Sequence, residues 1–102
     1  MKTRVRVGPQ VEAFTAGLAP EPRQAVRRAI KGLAAGEGDL RQLEGKLAPY
    51  WRLRVGRVRV VYQVKTVKGE QQAFCFFAGY RPTVYAVLEQ LLVSGLIEEI
   101  IQ

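Results

Sequence analysis

Basic and apolar residues alternate through residues 50–62, with one glycine at the centre of the run. A period of two predicts half-buried strands, and Gly-X between two such runs predicts a two-residue hairpin turn. If the turn is centred on Gly56 and Arg57, Arg54 lies directly opposite Arg59. Like charges opposite each other destabilise a sheet. The pairing therefore indicates that these two arginines hold an anion.

The same register divides the hairpin into a basic face and an apolar face. Arg52 shares the basic face with Arg54 and Arg59. The apolar face carries the residues that we expect to fill a core: Trp51, Leu53, Val58, Val60 and Tyr62. Alternating arginines are also common on a solvated sheet face, so the evidence for a site is the opposed arginine pair.

Apolar spacing predicts the other elements of the chain. The hairpin strands run over about 50–55 and 58–66; the other predictions are a strand at 3–7, helices at 9–18 and 22–35, a further strand at 71–78 and a helix from 82. The strand at 71–78 is apolar on both faces, which is typical of a strand covered twice. We expect residues 39–49 to connect elements and residues 96–101 to form a short tail.

This order of elements predicts an α+β fold. We expect an antiparallel sheet with two N-terminal helices packed on one face and a C-terminal helix near the other. At 102 residues, the chain has the length of one domain with a modest core, and we take residues 1–102 as a single domain.

The charge balance favours a polyanionic partner. The sequence has 16 Lys and Arg against 9 Asp and Glu, a net charge of +7, and a pI near 10.1. Such a chain suits nucleic acid first, then an anionic membrane or an acidic protein. Because 48% of the residues are hydrophobic, we expect a folded domain and not a disordered basic tail.

The residues available for chemistry are few. The sequence has no histidine and one cysteine, Cys75. Because Cys75 lies in an apolar run, we expect its thiol to be buried and to pack in the core. The usual zinc-ligand sets and histidine-based general base chemistry are therefore excluded. We expect no metal and no cofactor. Because no signal pattern and no membrane-spanning run occurs, we expect a cytoplasmic protein without a membrane partner.

Four short motifs, in this order, resemble the RelE/ParE toxin superfamily. They are Leu43-Glu44-Gly45-Lys46-Leu47, Trp51-Arg52-Leu53-Arg54-Val55-Gly56, Arg59-Val60-Val61-Tyr62 and Gly79-Tyr80-Arg81-Pro82-Thr83-Val84-Tyr85. The superfamily has the same order of elements, so the likeness covers nearly the whole chain. It implies the toxin of a type II toxin–antitoxin system, neutralised by a cognate antitoxin and monomeric when free of it.

The resemblance also implies which residues form a site. RelE-like members cleave mRNA on the ribosome and carry basic residues on the two hairpin strands, an arginine near the end of the last strand and a tyrosine beyond it. The matching positions here are Arg52, Arg54, Arg59, Arg81 and Tyr85. The first two are lysines in the best-known member, and the segment between Arg81 and Tyr85 is shorter here.

RNA can be cut without water or metal when its own 2′-hydroxyl attacks the adjacent phosphate. With no histidine, Tyr85 is the leading general base; because a phenol ordinarily has a pKa near 10, this role needs cationic neighbours. Arg54, Arg59 and Arg81 would supply them and would stabilise charge at phosphorus. Arg81 is assigned to phosphate stabilisation, because arginine rarely gives up a proton.

The remaining basic residues of the motifs would bind the RNA backbone. They are Arg52, regarded as a cation at a strand edge, together with Arg54, Arg57 and Lys46. Two other functions remain open, because fold does not fix function. One is a ParE-like inhibitor of DNA gyrase with no chemistry of its own. The other is a RelE-fold protein that binds RNA without cleaving it.

Overall fold

The computed structural model describes residues 3–101, apart from the side chains of residues 98 and 99. Its strands are β1 (Arg4–Val7), β2 (Asp39–Gln42), β3 (Trp51–Val55), β4 (Val58–Val67) and β5 (Glu70–Tyr80). Its α-helices are α1 (Pro9–Ala16), α2 (Pro20–Gly32), α3 (Thr83–Val93) and α4 (Leu96–Ile101). Short 3₁₀ turns occur at Leu33–Ala35 and Gly45–Leu47.

The strands form one sheet in the order β1-β5-β4-β3-β2. Neighbouring strands are antiparallel except β1, which pairs in parallel with β5. The predicted α+β class, with two N-terminal helices on one face and C-terminal helical structure on the other, is confirmed. The parallel β1 is the exception to the antiparallel arrangement that we expected.

The central hairpin has the predicted register. Trp51 pairs with Tyr62 and Arg54 with Arg59. Gly56 has a φ of 58°, in the left-handed region that a hairpin turn requires of its first central residue here. The alternation of the sequence is therefore converted directly into one basic and one apolar face.

Two core clusters lie on opposite faces of the sheet. The first joins α1 and α2 to the sheet: Val11, Val26, Ile30, Leu53, Val60, Tyr62 and Cys75 are among its members. The second joins α3 and α4 to the other face: Leu47, Tyr50, Val61, Phe76, Val84, Leu88 and Ile97 belong to it. The double apolar character of β5 is thus explained, because its residues contribute to both clusters.

Two segments differ from the prediction. Residues 39–42 form the edge strand β2 instead of a connection, and residues 96–101 form the helix α4 instead of a tail. β2 has one apolar residue, Leu40, so it carries no alternation that a sequence pattern could reveal. α4 is held by tertiary contacts, since Ile97, Ile100 and Ile101 all pack on the second cluster.

Candidate anion-binding cleft

A cleft of about 390 Å³ opens on the sheet face that also carries the second core cluster. Its lining combines basic and acidic side chains with one tyrosine: Arg41, Gln42, Leu43, Glu44, Arg52, Arg54, Arg59, Arg81 and Tyr85. Five of these nine residues are arginines. The cleft is therefore suited to an anion with several oxygen atoms, such as a phosphodiester.

The order of the strands explains how distant parts of the chain meet in this cleft. Arg54 on β3 faces Arg59 on β4, and Arg59 in turn faces Gly79 on β5. A Cβ atom on Gly79 would lie 3.4 Å from the Cβ of Val84, in van der Waals contact, so the first turn of α3 packs directly on β5 at this glycine. Tyr85, in that first turn, consequently reaches the arginines.

Arg59 is the most deeply buried arginine of the cleft, with 5% of its surface exposed. Its Nη1 donates to the carbonyl oxygens of Gly56 at 2.8 Å and Val58 at 3.1 Å. Among the side chains that the structure describes, no carboxylate forms an ion pair with it. A buried guanidinium held only by carbonyl dipoles keeps much of its positive charge available for a bound anion.

Arg52 has a carboxylate partner. Its Nη1 donates to the carbonyl oxygen of Asp39 at 2.9 Å and to Oδ1 of the same residue at 3.0 Å. The Asp39 pKa lies below its usual range, first because of this hydrogen bond, and further through the charges of Arg52, Arg54 and Arg59. Asp39 is therefore ionised at neutral pH and neutralises part of the cleft.

The other arginine side chains of the cleft are less constrained by carboxylates than Arg52. Arg54 lies 3.9 Å from Oδ2 of Asp39, and 53% of its side chain is exposed. Arg41 lies 3.8 Å from Glu44 in an ion pair that is open to solvent on both sides. Contacts of this kind contribute little to stability, so both arginines can turn toward a bound anion. Arg81 is exposed directly after β5, and its backbone N–H donates to the carbonyl oxygen of Arg57 at 3.2 Å.

Solved structures match this arrangement of helices and strands over about four-fifths of the chain. The RelBE2 toxin–antitoxin complex of Mycobacterium tuberculosis matches with a TM-score of 0.59 and 16% identity, covering 79% of this chain and 100% of that one. The archaeal RelE–RelB complex of Pyrococcus horikoshii matches with a TM-score of 0.59 and 21% identity, covering 80% of this chain and 98% of that one. The YoeB/ParE toxin of Agrobacterium tumefaciens matches with a TM-score of 0.55 and 21% identity, covering 78% of this chain and 99% of that one.

The chain has the RelE/ParE toxin fold. No protein-family profile matches its sequence, and no curated protein sequence matches it at a significant level. At this degree of sequence divergence the shared feature is the fold itself. The chemistry has to be argued from the residues of the cleft.

On this RelE/ParE fold, the structure brings together most of the residues predicted for a site. Arg52, Arg54, Arg59, Arg81 and Tyr85 all line the same cleft. Arg57 and Lys46, which we predicted to bind RNA, do not line it. Arg57 instead lines a separate groove with Leu18 and Tyr80, while Lys46 is exposed on the 3₁₀ turn after β2. The description of Arg52 as a strand-edge cation is wrong, because β2 covers that side of β3.

Sequence reasoning missed the wall of the cleft that β2 and the following residues provide. The residues of this wall are Arg41, Gln42, Leu43 and Glu44, and Asp39 beside them pairs with Arg52. The charged residues of this segment alternate in sign, but its hydropathy does not alternate, so no hydropathy pattern distinguished it from a loop. The available signal was the spacing of Asp39 and Arg41, which would share one face of any extended segment.

Two further observations concern the part of the chain that the structure describes. No group of three or more Cys, Asp or Glu side chains is arranged there to hold a metal ion. No helix within residues 3–101 is long and apolar enough to cross a membrane.

Proposed function

We propose that this protein is the toxin of a type II toxin–antitoxin system and that it cleaves mRNA on the ribosome as a metal-independent endoribonuclease. The observation that supports this most is the composition of the cleft. Five arginines line the same cleft as Tyr85, and one of them, Arg59, is buried and has no carboxylate partner among the side chains that the structure describes. A phosphodiester next to a 2′-hydroxyl is the substrate that such a set of groups suits.

The proposed reaction is an in-line transesterification. The 2′-oxygen of the RNA attacks phosphorus, the bond from phosphorus to the 5′-oxygen breaks, and a 2′,3′-cyclic phosphate and a 5′-hydroxyl are formed. One proton leaves the 2′-hydroxyl, and one is delivered to the departing 5′-oxygen. The protein must accept the first, stabilise the added negative charge on the phosphorane, and aid the second.

The residues of the cleft can be given these roles. Tyr85 acts as the phenolate: it accepts the proton from the 2′-oxygen, becomes the neutral phenol, and loses that proton to solvent before the next turnover. Arg59 and Arg54 hold the phosphate oxygens, and Arg81 stabilises the charge that develops in the transition state, where charge-assisted hydrogen bonds are strongest. The proton for the 5′-oxygen comes from solvent, since a guanidinium is a very weak acid. Arg52 binds the RNA backbone beside the reacting phosphate.

The ribosome fits this proposal for a physical reason. The cleft offers strong electrostatic stabilisation but no histidine for general acid–base catalysis, and a freely diffusing RNA would rarely reach the geometry for in-line attack. A ribosome that holds the mRNA extended would supply that geometry. The proposal places the protein in the cytoplasm, where ribosomes are, as a monomer until its antitoxin binds.

A cognate antitoxin is the proposed protein partner. Two of the matching structures are toxin–antitoxin complexes. The net charge of +7 favours an acidic partner, and groove-bound helices and added strands are both available modes of binding. Co-purification with the product of an adjacent open reading frame tests this; a chain that is harmless on expression and has no such neighbour would count against it.

A second candidate function is inhibition of DNA gyrase by protein binding alone. The YoeB/ParE toxin of Agrobacterium tumefaciens shares the fold, and ParE is part of its name. Gyrase inhibition therefore stays a candidate. Binding of RNA without cleavage is the third possibility. A pure binding protein has no chemical need for a tyrosine in a cleft lined by five arginines, which is why we favour the nuclease.

Primer extension on an mRNA bound to purified ribosomes tests the proposal. We expect the wild-type protein to produce new 3′ ends with a cyclic phosphate, and Tyr85→Phe and Arg81→Ala to produce few. Arg28→Ala is the matched control, because Arg28 is exposed on α2, outside the cleft. No cleavage by the wild type, together with growth arrest and DNA damage on expression, would favour gyrase inhibition instead.

A further inference from the structure

Asp39 is the first residue of β2, is opposite Arg54 in the strand register, and contacts Arg52 and Arg54, which line the cleft. Both its carbonyl oxygen and its carboxylate Oδ1 accept hydrogen bonds from the same nitrogen, Nη1 of Arg52. The Arg52 side chain is 12% exposed, whereas that of Arg54 is 53% exposed and lies farther from the carboxylate. Asp39 therefore constrains Arg52 much more than it constrains Arg54.

This constraint has a consequence for anion binding. Arginine has a long, flexible side chain, and ordering it when a ligand binds costs free energy. Asp39 fixes Arg52 through one nitrogen only, so the rest of the guanidinium fork has no hydrogen bond recorded within the described residues. A guanidinium that is already ordered, with its other N–H groups unused, is prepared to bind phosphate oxygens.

We infer that Asp39 is a positioning residue, which holds Arg52 in the orientation that binds the RNA backbone in the cleft. The inference rests on the proposed function, since it assumes that RNA is what the cleft binds. Under this inference, an acidic residue strengthens the binding of a polyanion. The negative charge of Asp39 alone would weaken that binding.

The opposite signs make the inference testable. If Asp39 acts only through its charge, removing it raises the local positive charge and RNA binds more tightly. If Asp39 acts by holding Arg52, removing the side chain weakens RNA binding although the protein becomes more positive. If Asp39 serves only the fold, removal lowers the stability and leaves the affinity of the folded protein unchanged.

The experiment measures the affinity of the full chain for a single-stranded RNA of about twelve nucleotides, long enough for one binding groove. The RNA carries 2′-O-methyl groups, which block attack by the 2′-oxygen, so that it cannot be cut. We expect Asp39→Ala to bind roughly threefold to tenfold more weakly than wild type, as for the ordering of one flexible side chain. Asp39→Asn keeps an oxygen acceptor for Arg52, so we expect it to recover most of the affinity.

Two controls separate positioning from other effects. Glu70→Ala makes the same change in charge at the far end of β5, so it should bind RNA no more weakly than wild type. In a double-mutant cycle, Asp39→Ala should have little effect once Arg52 is alanine, because Asp39 is inferred to act through Arg52. Asp39→Ser, whose hydroxyl is too short to reach Arg52, repeats the test in case the alanine variant folds poorly.

Any of three results would overturn the inference: Asp39→Ala binds as tightly as wild type or more tightly, its effect persists without Arg52, or the wild type does not bind the RNA at all. Because the RNA cannot be cut, the result does not depend on catalysis. A protein that shows the expected pattern but never cleaves ribosome-bound mRNA would contradict the proposed nuclease and leave the role of Asp39 standing.

Discussion

Replacing Arg59 by methionine should separate the function of the cleft from the stability of the fold. The change removes the charge of a nearly buried guanidinium and keeps a side chain of similar length. Two hydrogen bonds from Nη1 to carbonyl oxygens are lost, at about 1.5–3 kcal/mol each for a charged donor. Against this, the desolvation penalty of the buried ion, several kcal/mol, disappears.

Two smaller contributions favour the variant. The like-charge pair with Arg54 is relieved, worth about 0.2–1 kcal/mol. A buried methionine also gains about 1.5–3 kcal/mol from the removal of apolar surface from water. The losses and gains nearly cancel, so we expect the free energy of unfolding of Arg59→Met to lie within about 2 kcal/mol of wild type, with a tendency toward stabilisation.

The activity should change far more than the stability. We expect single-turnover cleavage of ribosome-bound mRNA to fall by roughly two to three orders of magnitude, as for the loss of one transition-state donor. RNA binding should also lose about 0.7 from the slope of log affinity against log salt, because one phosphate contact is removed. Arg54→Met is the control: it removes the same charge from an exposed position and relieves the same like-charge pair, so the free energy of unfolding should change by less than about 1 kcal/mol.

Urea unfolding and rapid-quench cleavage measure the two quantities separately. A loss of more than about 3 kcal/mol in Arg59→Met would mean that the guanidinium is required by the fold, as when a buried pair is broken. A variant that cleaves at the wild-type rate would mean that Arg59 lies outside the reacting site. Either result would refute the reasoning from the burial of Arg59 and from the absence of a carboxylate partner for it among the described side chains.

Three other expectations concern the site, the core and the response to pH. Tyr85→Phe, which removes only a hydroxyl, should slow single-turnover cleavage by about a hundredfold or more, and Arg81→Ala by roughly two to three orders of magnitude; thermal melts should show both folded. Ile97→Ala should cost about 2–5 kcal/mol in urea unfolding, since this side chain is 1% exposed and anchors α4; a loss under about 1 kcal/mol would mean that α4 is not firmly packed. Burial raises the pKa of both Tyr62 and Cys75 to about 12. Unfolding therefore releases protons above about pH 9, and stability should fall as pH rises toward 12; Tyr62→Phe should flatten this fall, and an equally steep curve would refute the assignment.

The sequence predicted the hairpin because a period of two and a turn glycine are local signals. The opposed pair Arg54 and Arg59 followed from them by geometry alone. The segment containing Asp39 was not predictable in the same way. It becomes a strand only because β3 offers it hydrogen bonds, and its carboxylate meets Arg52 only through that pairing. A contact created by tertiary pairing leaves no periodic trace in a four-residue segment.

The placement of α3 is what turns a basic sheet face into a candidate catalytic cleft. The helix covers the sheet beside the arginines, where Val84 packs against Gly79, and the next residue of its first turn, Tyr85, enters the cleft. The shorter segment between Arg81 and Tyr85 therefore still brings the tyrosine to the arginines. If this packing sets the position of the phenol, Gly79→Val should displace the first turn of α3, because a Cβ there would already be in van der Waals contact with Val84 at 3.4 Å and the γ-methyl groups need space beyond it. Cleavage should then fall as in Tyr85→Phe while RNA affinity is retained, since Arg52, Arg54 and Arg59 belong to strands that do not move. Equal loss of binding and cleavage would show instead that α3 shapes the arginine cluster itself.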